Sequence, residues 1–201
     1  GFSNDRSKLN RELEAANIFF MHAPLFHPAM KNVAPIRKEL GVKTFFNMLG
    51  PIVNPARRHR QLVGVFSLEL ARQYGYLYQQ GQKDFVVLHD LNGYDEISLT
   101  GPFKMFTNLG EDQLEPADLG LPCIRPGDIE GGETVGEAAA IFMKVLEGKG
   151  TEAQNAVVAA NAGMALYCGN KKEGITHAVK RAEAALSSGA ALQTFNKLMG
   201  K

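Results

Sequence analysis

Two stretches of this chain carry residue types that could do chemistry. One is Gly93-Tyr-Asp-Glu-Ile-Ser-Leu-Thr-Gly, with adjacent carboxylates at Asp95 and Glu96; the other runs from Phe20 to Ala56 and holds His27, Arg37, Asn47 and Pro51. A pair of carboxylates offers oxygen donors only, which suits magnesium, an ion commonly held by one or two carboxylates together with substrate phosphates. In a continuing strand the two side chains would point to opposite faces. They follow the turn-forming Leu91-Asn-Gly-Tyr, however, and loop backbone can aim both the same way. Arg37 opens the helix-forming Arg37-Lys-Glu-Leu after Pro35, and its planar guanidinium is a two-pronged donor matched to a carboxylate. His27 precedes Pro28, a residue that can open a second short helix. Gly50-Pro51 and Asn54-Pro55 stop Thr44 to Met48 from continuing as a helix, and such a rigid loop makes a pocket wall that loses little entropy when a ligand binds. Asn47 can hydrogen-bond a substrate or cap the loop. Taken singly these residues also admit plainer roles: Arg37 as a surface charge, His27 as a satisfied core histidine, the Asp-Glu pair as a solvated turn.

The elements that must position them alternate in type. Arg6 to Ala16 has helical spacing, and Ile18-Phe-Phe-Met-His-Ala reads as a strand ending at Pro24. Gln61 to Phe66 is a strand, Leu68 to Gln80 a helix, Phe85 to His89 a buried strand, Glu96 to Leu99 a short strand and Phe103 to Thr107 another. Strands separated by helices point to an α/β domain with a mixed sheet, and the unbroken apolar run at Phe85 to Leu88 suits a strand covered on both faces. From Thr134 the texture changes to Ala-rich helices at Val135 to Leu146, Glu152 to Tyr167 and Ile175 to Leu186, with a shorter one near Ala191 to Met199. Asn155 and Asn161, on one of these helices, read as interhelical hydrogen bonders.

With 201 residues and 45% hydrophobic content, the chain can bury one sizeable core, so a single domain over residues 1–201 is expected. A formal net charge of +1 offers no field to attract nucleic acid or an anionic membrane. No apolar run approaches the roughly 18 to 20 residues that span a bilayer. The polar opening Gly1-Phe-Ser-Asn-Asp-Arg does not read as a signal peptide, and a cytoplasmic protein is expected. Cys123 and Cys168 lack metal-ligand spacing and read as buried free thiols. The basic run Arg57-Arg-His-Arg60 reads as a solvated turn, and His89 as a packed strand end.

In register along the chain, His27-Pro-Ala-Met-Lys, Arg37-Lys-Glu-Leu-Gly, Asn47-Met-Leu-Gly-Pro-Ile-Val-Asn-Pro-Ala and the Asp95-Glu96 segment resemble anthranilate phosphoribosyltransferase. The likeness covers nearly the whole chain. It implies a mixed, mostly parallel sheet flanked by helices, of the nucleoside phosphorylase/phosphoribosyltransferase type. It also implies transfer of phosphoribose from 5-phosphoribosyl diphosphate to anthranilate in tryptophan biosynthesis. Carried over residue by residue, Arg37 would grip the anthranilate carboxylate, His27 and Pro51 would flank its ring, Asn47 would line the pocket, and Asp95 and Glu96 would hold Mg2+. Members of the family also carry an N-terminal helical domain, which supplies most of a homodimer contact, and Gly-Thr-Gly-Gly-Asp, Asn-x-Ser-Thr and Lys-His-Gly-Asn segments. None of the three segments occurs here. The chain is therefore expected to be the C-terminal portion of such an enzyme and inactive by itself. Two rival readings remain, a related nucleoside phosphorylase-like enzyme and a non-catalytic ligand-binding domain.

Overall fold

The computed structural model describes residues 2–27, 39, 48, 50–52, 59–81 and 84–200. The chain divides into two compact units, Gly1–Arg57 with Gln193–Lys201, and Arg58–Leu192.

In the first unit α1 spans Arg6–Ala16, opened by Asp5, whose carboxylate accepts from the Ser7 N–H at 2.9 Å, and closed by Asn17 in the left-handed region at φ 55°. The segment Ile18 to Ala23, expected as a strand, is not one. Residues Ile18 to His22 form no regular structure, and Ala23–Phe26 is a short helix, α2, with Pro24 in its first turn. A strand holds its shape only through a neighbour's backbone hydrogen bonds, and this segment has no strand partner among the described residues. Its apolar character is spent instead on local ring contacts: Phe2 stacks on His22 at 4.9 Å and meets Phe20 edge-on. The expected helix after Pro28 lies outside the described residues; of the one after Pro35, Glu39 is described and is helical.

The second unit is a four-stranded sheet in the order β1 (Arg60–Gly64), β2 (Asp84–Asp90), β3 (Phe103–Thr107), β4 (Gly110–Leu114). The first pair is parallel, joined through helix α3 (Leu68–Gln79); the other two are antiparallel. The sheet is mixed, as expected, but the parallel majority is not present among the described residues. The two-residue link between β3 and β4 admits only antiparallel return, and the link between β2 and β3 holds no crossover helix. Strand β4 went unread because Gly110-Glu-Asp-Gln-Leu is a polar edge with no apolar alternation.

Residues of β2 alternate between two apolar layers. Val86 and Leu88, with Phe103 and Met105 of β3, pack in one cluster against Ala156, Ala160 and Met164 of α5 (Glu152–Gly169) and Ala178 and Val179 of α6 (Ile175–Ser187). On the other side Phe85 meets Tyr78 of α3, ring centroids 5.5 Å apart, and Gly75 of α3 lets Phe106 approach. Burial on both faces, inferred from the apolar run, is what β2 shows. Gly163 serves the α5–α6 contact: a Cβ there would lie 2.6 Å from the Val179 Cα. Helix α4 (Val135–Leu146) starts at a capping box between Thr134 and Glu137, and α5 at one between Thr151 and Gln154. The last helix, α7, spans Ala190–Leu198.

Both cysteines are free. Cys168 is buried as expected, whereas Cys123 is exposed, because the extended Leu121-to-Ile124 link after the Pro116–Leu119 turn leaves its side chain outside the core.

Candidate functional site

Asp95 and Glu96 sit on an irregular loop between β2 and β3, and the strand expected at Glu96 to Leu99 does not form. The backbone explains why. The Gly93 N–H donates to Asp90 O at 2.9 Å with Gly93 at φ +96°, the Asp90 N–H reaches Tyr94 O at 3.1 Å, and the Leu91 N–H reaches Pro102 O at 3.0 Å. The loop thus closes on itself at both ends. Within it Ile97, Ser98 and Leu99 turn inward and are buried, while Asp95 and Glu96 face out.

Three contacts fix this shape. The Asp90 side chain, fully buried at the end of β2, accepts from the Asn92 N–H at 2.8 Å, the Ser98 N–H at 3.1 Å and the Ser98 hydroxyl at 2.6 Å. Asn161 of α5 holds Ile97 at both backbone atoms, accepting from its N–H at 3.0 Å and donating to its carbonyl at 2.9 Å. Gly64, the last residue of β1, makes room for the Asp95 backbone: a Cβ there would fall on the Asp95 carbonyl, 2.7 Å from its carbon. Asn161 was read as an interhelical bonder and instead ties its helix to the loop; Asn155 bonds Gly150 O beside its own helix. The Ile97 partner of Asn161 lies 64 positions away in sequence, so helical periodicity carries no trace of it. Gly64 did carry a signal, since glycine inside a strand often marks a close backbone approach. So did Asp90, an Asx residue heading an Asn-Gly turn.

His89, beside the loop, is bonded through Nδ1 to Val65 O at 2.9 Å, the packed strand-end role read for it. Of the acceptor-pocket candidates, His27 closes α2, its N–H donating to Ala23 O at 2.9 Å, and Pro51 lies in a turn with Gly50 and Ile52; both are half-buried. Both belong to the first unit and the Asp-Glu loop to the second. Arg37 and Asn47 lie outside the described residues.

The donor set at Asp95 and Glu96 fits a hard divalent ion. Both carboxylates are exposed and neither forms an ion pair with a described residue. Among the described residues no group of three or more His, Cys, Asp or Glu side chains could hold a metal by protein ligands alone. Two free carboxylates and open solvent suit magnesium shared with a phosphate-bearing substrate rather than a closed structural site.

The family model of the glycosyl transferase family, a/b domain, matches residues 2–192. The chain belongs to that family. Anthranilate phosphoribosyltransferase of Flavobacterium psychrophilum is 56% identical to this glycosyl transferase domain over 98% of the chain and 59% of its own length. The chain thus spans less than two thirds of that relative. Among solved structures, anthranilate phosphoribosyltransferase from Thermus thermophilus superposes with a TM-score of 0.88 at 31% identity, over 96% of this chain and 58% of that one. The Saccharomyces cerevisiae enzyme in complex with PRPP and Mg gives a TM-score of 0.82 at 26% identity, over 96% and 55%.

Proposed function

We propose that this chain is the α/β portion of an enzyme that transfers the phosphoribosyl group of 5-phosphoribosyl diphosphate to the amine of anthranilate, releasing diphosphate, in cytoplasmic tryptophan biosynthesis. The observation that carries the reading is the Asp95-Glu96 loop, two exposed carboxylates held out by a buried frame and paired with no described residue, in a chain 56% identical over nearly its whole length to a relative of that name. The yeast relative was solved with both PRPP and Mg, which supports magnesium as the ion at this loop.

Asp95 and Glu96 hold the ion, which when bound neutralises charge on the departing diphosphate. Arg37 clamps the anthranilate carboxylate through two parallel N–H bonds and so orients the amine. His27 and Pro51 flank the aromatic ring, and Asn47 supplies a polar contact in the same pocket. As the new C–N bond replaces the bond to diphosphate the amine gives up one proton, which the departing diphosphate or solvent can take; the named residues contribute mainly positioning and electrostatic stabilisation. In the intact enzyme a homodimer is expected.

The test is steady-state transfer. The bare chain, whose sequence holds no Gly-Thr-Gly-Gly-Asp segment to cradle phosphates on backbone amides, should show no measurable turnover. In a protein carrying this chain behind such a segment, Arg37→Ala should weaken anthranilate use by about ten- to a hundredfold, the range of a charged bidentate contact. Glu96→Ala should depress kcat instead. Robust transfer by the bare chain, or an Arg37→Ala protein with unchanged anthranilate dependence, would overturn the assignment.

A further inference from the structure

Asp90 stands apart from the groups assigned so far. It is fully buried, yet it carries a carboxylate, and burying a charge is costly unless hydrogen bonds satisfy it. Its two oxygens divide the loop between them: Oδ1 takes the Asn92 N–H, ahead of Asp95 and Glu96, and Oδ2 takes the Ser98 N–H and hydroxyl, behind them.

Side-chain bonds add a direction. The Ser98 hydroxyl donates to Asp90 Oδ2, so its one proton points there. The 2.8 Å contact between the Ser98 and Thr100 hydroxyls then uses the Thr100 proton, and the Asn92 amide donates to Thr100 Oγ1 at 2.9 Å. The chain of bonds runs one way, from Asn92 through Thr100 and Ser98 to Asp90. Gly101 leaves space for its first member, since a Cβ there would lie 2.6 Å from the Asn92 Nδ2. Three bonds in this frame, from the Asn92 N–H, the Ser98 N–H and the Ser98 hydroxyl, require an acceptor at Asp90.

We propose that Asp90 is a positioning residue of the metal loop, a buried carboxylate that fixes Asn92 and Ser98 on either side of Asp95 and Glu96 and so aims both exposed carboxylates at one ion. The proposal rests on the metal reading of Asp95 and Glu96. Asp90 itself does not touch the ion, because both its oxygens are engaged inside the fold.

Asp90→Asn keeps the shape and turns one acceptor into a donor. Its amide then faces either the Asn92 N–H or the Ser98 N–H and hydroxyl, and one side of the frame must open. Ser98→Ala leaves Asp90 in place and removes the hydroxyl that donates to Asp90 and accepts from the Thr100 hydroxyl and N–H. The probe is Mn2+, a paramagnetic stand-in for magnesium, titrated into the 201-residue chain while amide resonances are followed by NMR. In the unsubstituted chain Mn2+ should broaden Asp95 and Glu96 first. Asp90→Asn should raise the Mn2+ concentration for half-broadening by about ten- to a hundredfold, the usual cost of losing a residue that orients a metal ligand. Ser98→Ala should raise it about fivefold, less than Asp90→Asn, because the Ser98 N–H bond to Asp90 survives the loss of the hydroxyl. Amide shifts in α5 and α6 should stay in place in both variants, which a general loss of structure would not allow. If Asp90→Asn does not fold, Ser98→Ala carries the test alone. No broadening at Asp95 and Glu96 in the unsubstituted chain would remove the metal reading and this proposal with it. Broadening unchanged in Asp90→Asn would overturn the proposal alone. A loss in Asp90→Asn with none in Ser98→Ala would make Asp90 a source of charge only, and would also overturn it.

Discussion

Gly64→Ala adds one methyl group at the end of β1, and its effect can be worked from the contact it would make. The new carbon would lie 2.7 Å from the Asp95 carbonyl carbon and 3.7 Å from its Cα, with the carbonyl oxygen closer still. Carbon atoms pack best about 3.5 to 4.0 Å apart. The Asp95 peptide must therefore retreat by more than about 1 Å to clear its carbonyl oxygen as well as its carbon, and it is backbone, with no rotamer to turn. Retreat is opposed by the Ile97 clamp at Asn161 and the Ser98 bonds to Asp90 on one side, and by the Asp90–Tyr94 bond on the other. Overpacking of this kind costs about 1 to 3 kcal/mol, offset by the roughly 0.5 to 1 kcal/mol that alanine gains over glycine in a regular element. A net loss of about 1 to 2 kcal/mol lowers the Tm of a chain this size by about 2 to 8 °C. The proposed ion site should suffer more, because a displacement of about 1 Å can already cost a hundredfold in catalysis. Calorimetry and the Mn2+ titration read the two effects separately. An alanine variant as stable as the parent, with unchanged broadening at Asp95 and Glu96, would refute the claim that Gly64 seats the loop.

Tyr78 of α3 has a buried hydroxyl with no hydrogen-bond partner among the described residues, so Tyr78→Phe should raise stability at neutral pH by about 1 kcal/mol, seen as a higher urea midpoint. Burial, and then the neighbouring Tyr74, pushes the Tyr78 pKa up to about 12 from 10.0, so the unfolded chain ionises first and the parent loses stability between those values; the phenylalanine variant should decline less steeply there. Glu173 is held below the ordinary carboxylate value of 4.5, first by the Arg181 hydrogen bond and then by His177. Its contribution is full above that value and lost as pH falls through the lower folded one, so the Tm gap between parent and Glu173→Gln should close in acid; a gap constant down to about pH 3 would show the pair to be idle.

How much of this was legible in the residues follows from how local each cause is. Helix α4 begins and ends where the sequence places it because Thr134, Glu137 and Gly148 are all within a turn of its ends. Strand β2 announces itself through an apolar run that needs cover on both faces. Ile18 to Ala23 has the same apolar character and forms no strand, since pairing depends on a partner that composition cannot supply. The Asp-Glu pair was readable as a turn, and the resemblance singled it out as a metal site. Its supports were not readable, because Asp90, Gly64 and Asn161 act through contacts of which the longest, Asn161 to Ile97, spans 64 positions. The acceptor residues Arg37 and Asn47 stand as proposals from the resemblance.

Leu99 adopts φ 60°, a left-handed backbone that costs a non-glycine residue about 1 to 2 kcal/mol, while its side chain is completely enclosed. Ile97, two residues back, is 1% exposed. Surface loops ordinarily open and close by themselves, at little free-energy expense. Here an opening would drag both side chains out of the cluster shared with β2, β3 and α5. The Ile97 and Ser98 amides, though next to exposed carboxylates, should therefore exchange with solvent about as slowly as those of β2, through concerted unfolding of the whole unit rather than local breathing. A loop of this kind cannot act as a swinging lid: it belongs to the same cooperative block as the sheet, and any ligand reaching it would meet its carboxylates already in place.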